Sequence, residues 1–105
     1  MATRNSGGWN EVTEESQVKF DQDGDEFTGI LISRDVQGTI PQAHFEGTGK
    51  FKGDDYFTNM GRDLERKMEK VPVGAEVLIT RTGTLDTGHR SGTAMVTFAV
   101  KYRAA

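Results

Sequence analysis

The sequence predicts a mostly β domain: a small five-stranded barrel with one short helix between the third and fourth strands. Three observations predict it. Thirteen glycines and two prolines in 105 residues punctuate the chain at turn-like intervals. Between them lie short runs in which apolar and polar residues alternate, the period of a strand. One segment, around residues 60–71, instead carries its apolar residues at helical spacing. The length suits one domain with one modest core.

The elements follow in order. Residues 1–15 are expected to be a flexible polar segment and residues 16–105 the folded domain. Trp9 is expected to pin that segment to the barrel, with base stacking as the alternative. Val18 and Phe20 alternate with Lys19 and Asp21, and Asp23-Gly24-Asp25 signals a turn. Phe27 to Ser33 is apolar on both faces, which predicts a central strand, and Gly29 within it predicts a bulge or bend. Gln42 to Glu46 is a second strand with Ala43 and Phe45 on one face and His44 on the other. Residues 47–53 read as a flexible basic loop, and Asp55 to Thr58 as the next strand. Within it Tyr56 and Phe57 must point to opposite faces. The chemistry of the two rings assigns Phe57 to the core and Tyr56 to the outside, where its phenol tolerates water.

Met60, Leu64, Met68 and Val71 form one helical stripe, with Asn59 as the expected N-cap and Pro72 as the stop. Ala75 to Thr82 is the fourth strand, with Val77 and Ile79 on one face. A turn-rich loop from Gly83 to Gly92 carries His89 and Arg90. The last strand places Ala94, Val96, Phe98, Val100 and Tyr102 on one face and Met95, Thr97, Ala99, Lys101 and Arg103 on the other. The resulting order, β-β-β-α-β-β, is the connection order of the oligonucleotide-binding (OB) fold, a five-stranded barrel whose helix plugs one end. A seven-stranded sandwich without a mid-chain helix fits less well.

Composition excludes several functions. With no cysteine there is no disulfide scaffold, thiolate nucleophile or Cys-ligated zinc. No run approaches the roughly 20 apolar residues that span a bilayer, and the first eight residues lack the apolar run of a signal peptide. A soluble protein of the cytoplasm is expected, with no membrane partner. No nucleophile elbow, phosphate-cradling loop or His-Glu helix motif occurs, so neither an enzyme nor a cofactor is expected. Two distant histidines make no metal pattern, and the acids around Gly24 lack the ligand spacing of a calcium loop. The net charge of −3 is unevenly spread. Residues 1–35 hold eight acids against three bases, and residues 36–105 eight acids against ten bases. A local basic surface is therefore available in the later part of the chain.

The run Tyr56-Phe57-Thr58-Asn59-Met60-Gly61-Arg62-Asp63-Leu64, with Val71-Pro72-Val73-Gly74-Ala75-Glu76-Val77-Leu78-Ile79-Thr80 and Gly83, resembles small OB-fold single-stranded-DNA-binding proteins of tailed bacteriophages. The similarity covers roughly residues 17–103. It implies DNA binding through a barrel face and its loops, without metal or cofactor, in the host cytoplasm. The chain departs from such proteins in being acidic overall and in lacking an acidic C-terminal tail.

Single-strand binding needs flat side chains for bases and cations for phosphates. The candidates are Arg34, His44, Lys50, Phe51, Lys52, Tyr56, Arg81, Arg90 and Lys101. Phe51, between two lysines in a glycine-flanked loop, is the sharpest of them; folding back over the barrel mouth is its alternative role. His44 and His89 read equally well as ordinary surface residues. The expected partner is single-stranded DNA, with RNA, self-association and a replication or host protein as further partners. A protein-interaction module on the same barrel is the competing function.

Overall fold

A computed structural model describes residues 14–86 and 94–105. Six strands form one sheet: β1 (Glu15–Gln17), β2 (Glu26–Gln37), β3 (Ile40–Gly47), β4 (Asp55–Asn59), β5 (Glu76–Asp86) and β6 (Ala94–Arg103). A 3-10 turn spans Gly49–Phe51, and a single helix α1 spans Arg62–Met68. The strand order is β1-β4-β3-β2-β5-β6. All pairs are antiparallel except β1 with β4.

The sheet is therefore open, not the closed five-stranded barrel that the pattern predicts. The long first strand expected from Ser16 onward is two strands. β1 lies at the sheet's edge beside β4, while β2 takes the centre between β3 and β5. Residues 18–25 cross between them. Val18 continues the edge by donating its N–H to the Phe57 carbonyl at 2.8 Å. The predicted bend also moves. The register shift within β2 falls between Leu31 and Ser33, not at Gly29.

The apolar periodicities do find the core. Phe27 and Leu31 of β2, Ala43 and Phe45 of β3, Val77 and Ile79 of β5 and the stripe Met60, Leu64, Met68 and Val71 are all buried. Phe98 and Val100 of β6 pack against them. Phe27 is the centre of a ring cluster, with Phe45 at 5.1 Å, Phe51 at 4.9 Å and Tyr56 at 5.2 Å between centroids.

Two sequence assignments are corrected by tertiary contacts. Asn59 does not cap the helix: it ends β4, and its side chain accepts a hydrogen bond from Gln42 Nε2 at 2.7 Å. Gly61 holds the N-cap position in extended backbone, without a side-chain cap. Tyr56 rather than Phe57 faces the core. β4 pairs Tyr56 with the buried Phe45 and Phe57 with His44, so the register with β3 sets the faces.

Side chains rather than strand pairing fasten β6 on its free side. Phe20 meets Phe98 edge-on at 5.2 Å. From α1, the Asp63 carboxylate accepts the Phe98 N–H at 3.0 Å, and Lys67 Nζ donates to the Phe98 carbonyl. The helix thus satisfies the backbone groups that a neighbouring strand would otherwise pair.

Gly47 shows how tightly the 3-10 turn is seated. A Cβ there would overlap the Phe51 carbonyl and come within 2.9 Å of the Tyr56 ring. Gly47→Ala is expected to push Phe51 off Phe27 and destabilise the protein by about 1–3 kcal/mol, the usual cost of overpacking. Thermal melting checks this; an unchanged melting temperature would mean the turn gives way freely.

Candidate nucleic-acid interface

The nine candidate residues do not converge on one trough. Arg34 is committed to the helix: its Nη1 donates to the Met68 and Val71 carbonyls at 2.9 and 2.6 Å. A cation there satisfies the carbonyls that a helix C-terminus leaves open. Arg81 is committed to the crossing segment. Its Nη1 donates to the Phe20 carbonyl at 2.8 Å, and its Nε meets Asp23 Oδ1 at 3.1 Å. Within that segment the Asp25 carboxylate accepts the Asp21 and Gln22 N–H groups, so this acid forms a turn. Arg90, like His89 and Trp9, lies outside the described residues.

His44 lies on the outward face of β3, the surface the barrel reading gives to the ligand. Its neighbours are carboxylates. Glu15 Oε2 stands 2.7 Å from Nδ1, and Asp35 Oδ1 stands 3.1 Å from Nε2. Glu46 and Asp55 line the same cavity. Burial alone lowers the imidazole pKa, but the hydrogen bonds to Glu15 and Asp35 outweigh it and leave the pKa above 6.5. Four acids around one imidazole repel phosphate, so this face is a poor bed for a nucleic-acid backbone.

The opposite face of the sheet differs. Phe51 and Tyr56 pack onto Phe27 and onto each other, with centroids 5.7 Å apart. Phe51 thus takes its alternative role, folded back on the core, with Lys50 Nζ 5.5 Å from its ring centroid. Its turn is tied to β2 by reciprocal bonds: the Thr28 hydroxyl donates to the Thr48 carbonyl at 2.9 Å, and the Thr48 N–H donates to the Thr28 carbonyl at 3.1 Å. Glu76 then links the turn to the end of β6. The Thr48 hydroxyl donates to its Oε2, and Arg103 Nε to its Oε1, both at 2.8 Å. Those two partners, the hydroxyl first, hold the Glu76 carboxyl below its usual pKa.

Around this junction runs a groove of about 240 Å³, lined by Thr28, Glu76, Leu78, Lys101, Tyr102 and Arg103 among others. Lys101 stands on its wall, and Thr48, which leads into the turn that carries Lys50, is bonded to Glu76. The structure thus gathers Phe51 and Tyr56 on Phe27, with Lys50 beside the Phe51 ring, and sets Lys101 on the groove wall. It turns His44 to the opposite face from Tyr56 and holds Arg34 and Arg81 on backbone carbonyls elsewhere.

Tyr102 is the residue whose exposure the sequence pattern does not reveal. Alternation puts it on the core face with Phe98 and Val100, and it does pair with the buried Val77. It stands near the strand's end, however, and 54% of it is exposed. Its position between two cations, Lys101-Tyr102-Arg103, was the available signal. Compared with known proteins, the chain matches no family model, no curated protein sequence and no solved structure.

Proposed function

We propose that this protein is a non-catalytic binder of single-stranded DNA, and that the groove at the β5–β6 end is where the strand lies. The observation that carries the reading is the groove at the end of β6, where the exposed Tyr102 of one face meets Lys101 and Arg103 of the other. A base stacks on any flat ring, while lysines and arginines beside it track the phosphates. Lys50 and Lys52 extend the cationic rim. Glu76 is the acid at the junction, and Arg103 compensates its charge. An OB-type architecture is part of the proposal. It is supported by the order of strands and helix and by β2 pairing with both β3 and β5, and it takes the sheet as a barrel left open along β6. The resemblance to phage proteins adds a setting in replication or recombination.

Fluorescence anisotropy with labelled oligo-dT at about 50 and 200 mM salt tests the reading. If Lys50, Lys52 and Lys101 each neutralise one phosphate, log affinity falls against log salt with a slope of about −2.1, and binding is about twenty-fold weaker at the higher salt. Tyr102→Ala is expected to weaken binding by about 5- to 100-fold, the loss of one stacked base, with an unchanged melting temperature. Binding that is absent at low salt, or indifferent to salt, rejects the proposal. Oligo-rU in place of oligo-dT reads the preference between DNA and RNA.

A second reading, a protein-docking module, is favoured by the β2–β3 hairpin, where Ile32, Val36 and Ile40 are all exposed. The two readings separate on one variant. Val36→Ser with Ile40→Ser leaves oligonucleotide affinity unchanged if the groove alone binds the strand.

A further inference from the structure

Both nitrogens of the His44 ring face carboxylates, Glu15 Oε2 at 2.7 Å and Asp35 Oδ1 at 3.1 Å. An ionised carboxylate only accepts hydrogen bonds. Neutral imidazole carries one N–H and satisfies one of these partners; the imidazolium carries two and satisfies both. The two partners belong to different strands. Glu15 is in β1, the three-residue edge strand, and Asp35 is in β2, at the sheet's centre. β4 and β3 lie between them. The ring therefore bridges from the edge to the centre over Phe57 of β4, its cross-strand neighbour.

The other charged groups on this face are Asp55, the register partner of Glu15 on β4, and Glu46 on β3 itself. Among the described residues lining this cavity no lysine or arginine opposes them. Among the described residues every charge that β1, β2, β3 and β4 turn toward His44 is negative, so among them the cation that this patch can draw on is the proton on the ring. A three-residue strand with all three residues exposed has little apolar burial to hold it.

We infer that protonated His44 is a clasp that holds the N-terminal strand β1 on the sheet, and that its deprotonation releases that strand. The linkage has one sign. Because the folded state favours the protonated ring, the stabilisation is fully present below the unfolded histidine value and fades as pH rises through the folded one. The clasp is therefore closed in mildly acidic solution and opens as pH rises through the folded value.

The test uses the full chain and two NMR measurements. The His44 Cε1 proton is titrated, with His89→Gln identifying which histidine resonance is which. In parallel, amide protection factors of Glu15–Val18, corrected for intrinsic exchange, are compared at about pH 6 and 9. The expected result is a His44 titration above the unperturbed value of about 6.5 and a several-fold loss of Glu15–Val18 protection at the alkaline pH. His44→Gln should show the low protection at both pH values, and Glu15→Gln should move the His44 titration downward. Core amides such as those of Phe27 and Ile79 should not follow the transition. A His44 titration at or below the unperturbed value, or equal β1 protection at both pH values, overturns the inference. The wild-type titration decides it even if a variant folds poorly.

Discussion

Phe27→Ala is expected to cost about 3–5 kcal/mol, enough to unfold a marginally stable domain of this size. Phe27 is fully buried, and its ring touches those of Phe45, Phe51 and Tyr56. Those contacts span three separate pieces of chain: β3, the 3-10 turn and β4. Truncation therefore removes a large apolar side chain and also the surface on which the turn is seated. The cavity collapses poorly, because the surrounding rings are fixed by strands on either side. Urea denaturation reads the effect as a lower midpoint at unchanged slope. The melting temperature should fall by at least about 12 °C. Phe27→Leu, which keeps most of the volume, should cost far less. A near-wild-type midpoint for the alanine variant would mean that the ring cluster does not organise this core.

Asp63→Ala is expected to cost about 2–3 kcal/mol and to flatten the acid limb of the stability curve. The Asp63 carboxylate is only 4% exposed and has three donors. They are the Phe98 N–H at 3.0 Å, Lys67 Nζ at 3.0 Å and Arg66 Nη2 at 2.7 Å. Burial alone raises its pKa, but the Phe98 N–H, followed by Lys67 and Arg66, outweighs burial and leaves the pKa lowered. A lowered folded pKa gives stability above the unfolded value near 4, lost as pH falls through the folded one. Arg66 and Lys67 can turn to water when the carboxylate is removed; the Phe98 N–H cannot follow them as easily. Asp63→Asn keeps an acceptor for that N–H and should recover part of the loss. Chemical denaturation of the three proteins at several pH values between about 3 and 7 checks both claims. Equal acid sensitivity in wild type and Asp63→Ala would show that this carboxylate does not couple β6 to the helix.

The functional surface was less legible than the core. Lys50, Lys52 and Lys101 could be picked from sequence as cations flanking rings or strand ends, and Lys101 lines the groove at the end of β6. Arg34 and Arg81 look the same in sequence but point to carbonyls at the end of α1 and in the crossing segment. Their acceptors lie more than 30 residues away along the chain. No local pattern separates a cation that neutralises a helix end from one that waits for a phosphate. The acidic face had the same obscurity. Glu15, Asp35, Glu46 and Asp55 are far apart in sequence and meet around His44 because four strands lie side by side.

What the sequence determined by itself is what period encodes. The spacing of Met60, Leu64, Met68 and Val71 found four buried residues, although α1 is shorter than that spacing predicts and holds only Leu64 and Met68 of them. Alternation fixed the inward residues of β3 and β5, because a side chain's face follows from its position in a strand or helix. What only the tertiary structure decided is everything that depends on which strands become neighbours. That includes Tyr56 rather than Phe57 on the core side, β1 at the sheet's edge, and the free side of β6 fastened by α1 instead of another strand. Adjacent aromatics satisfy alternation in either orientation, and only the register with Phe45 distinguishes the two. The closing of a sheet likewise turns on long-range backbone pairing, which short-range periodicity does not specify.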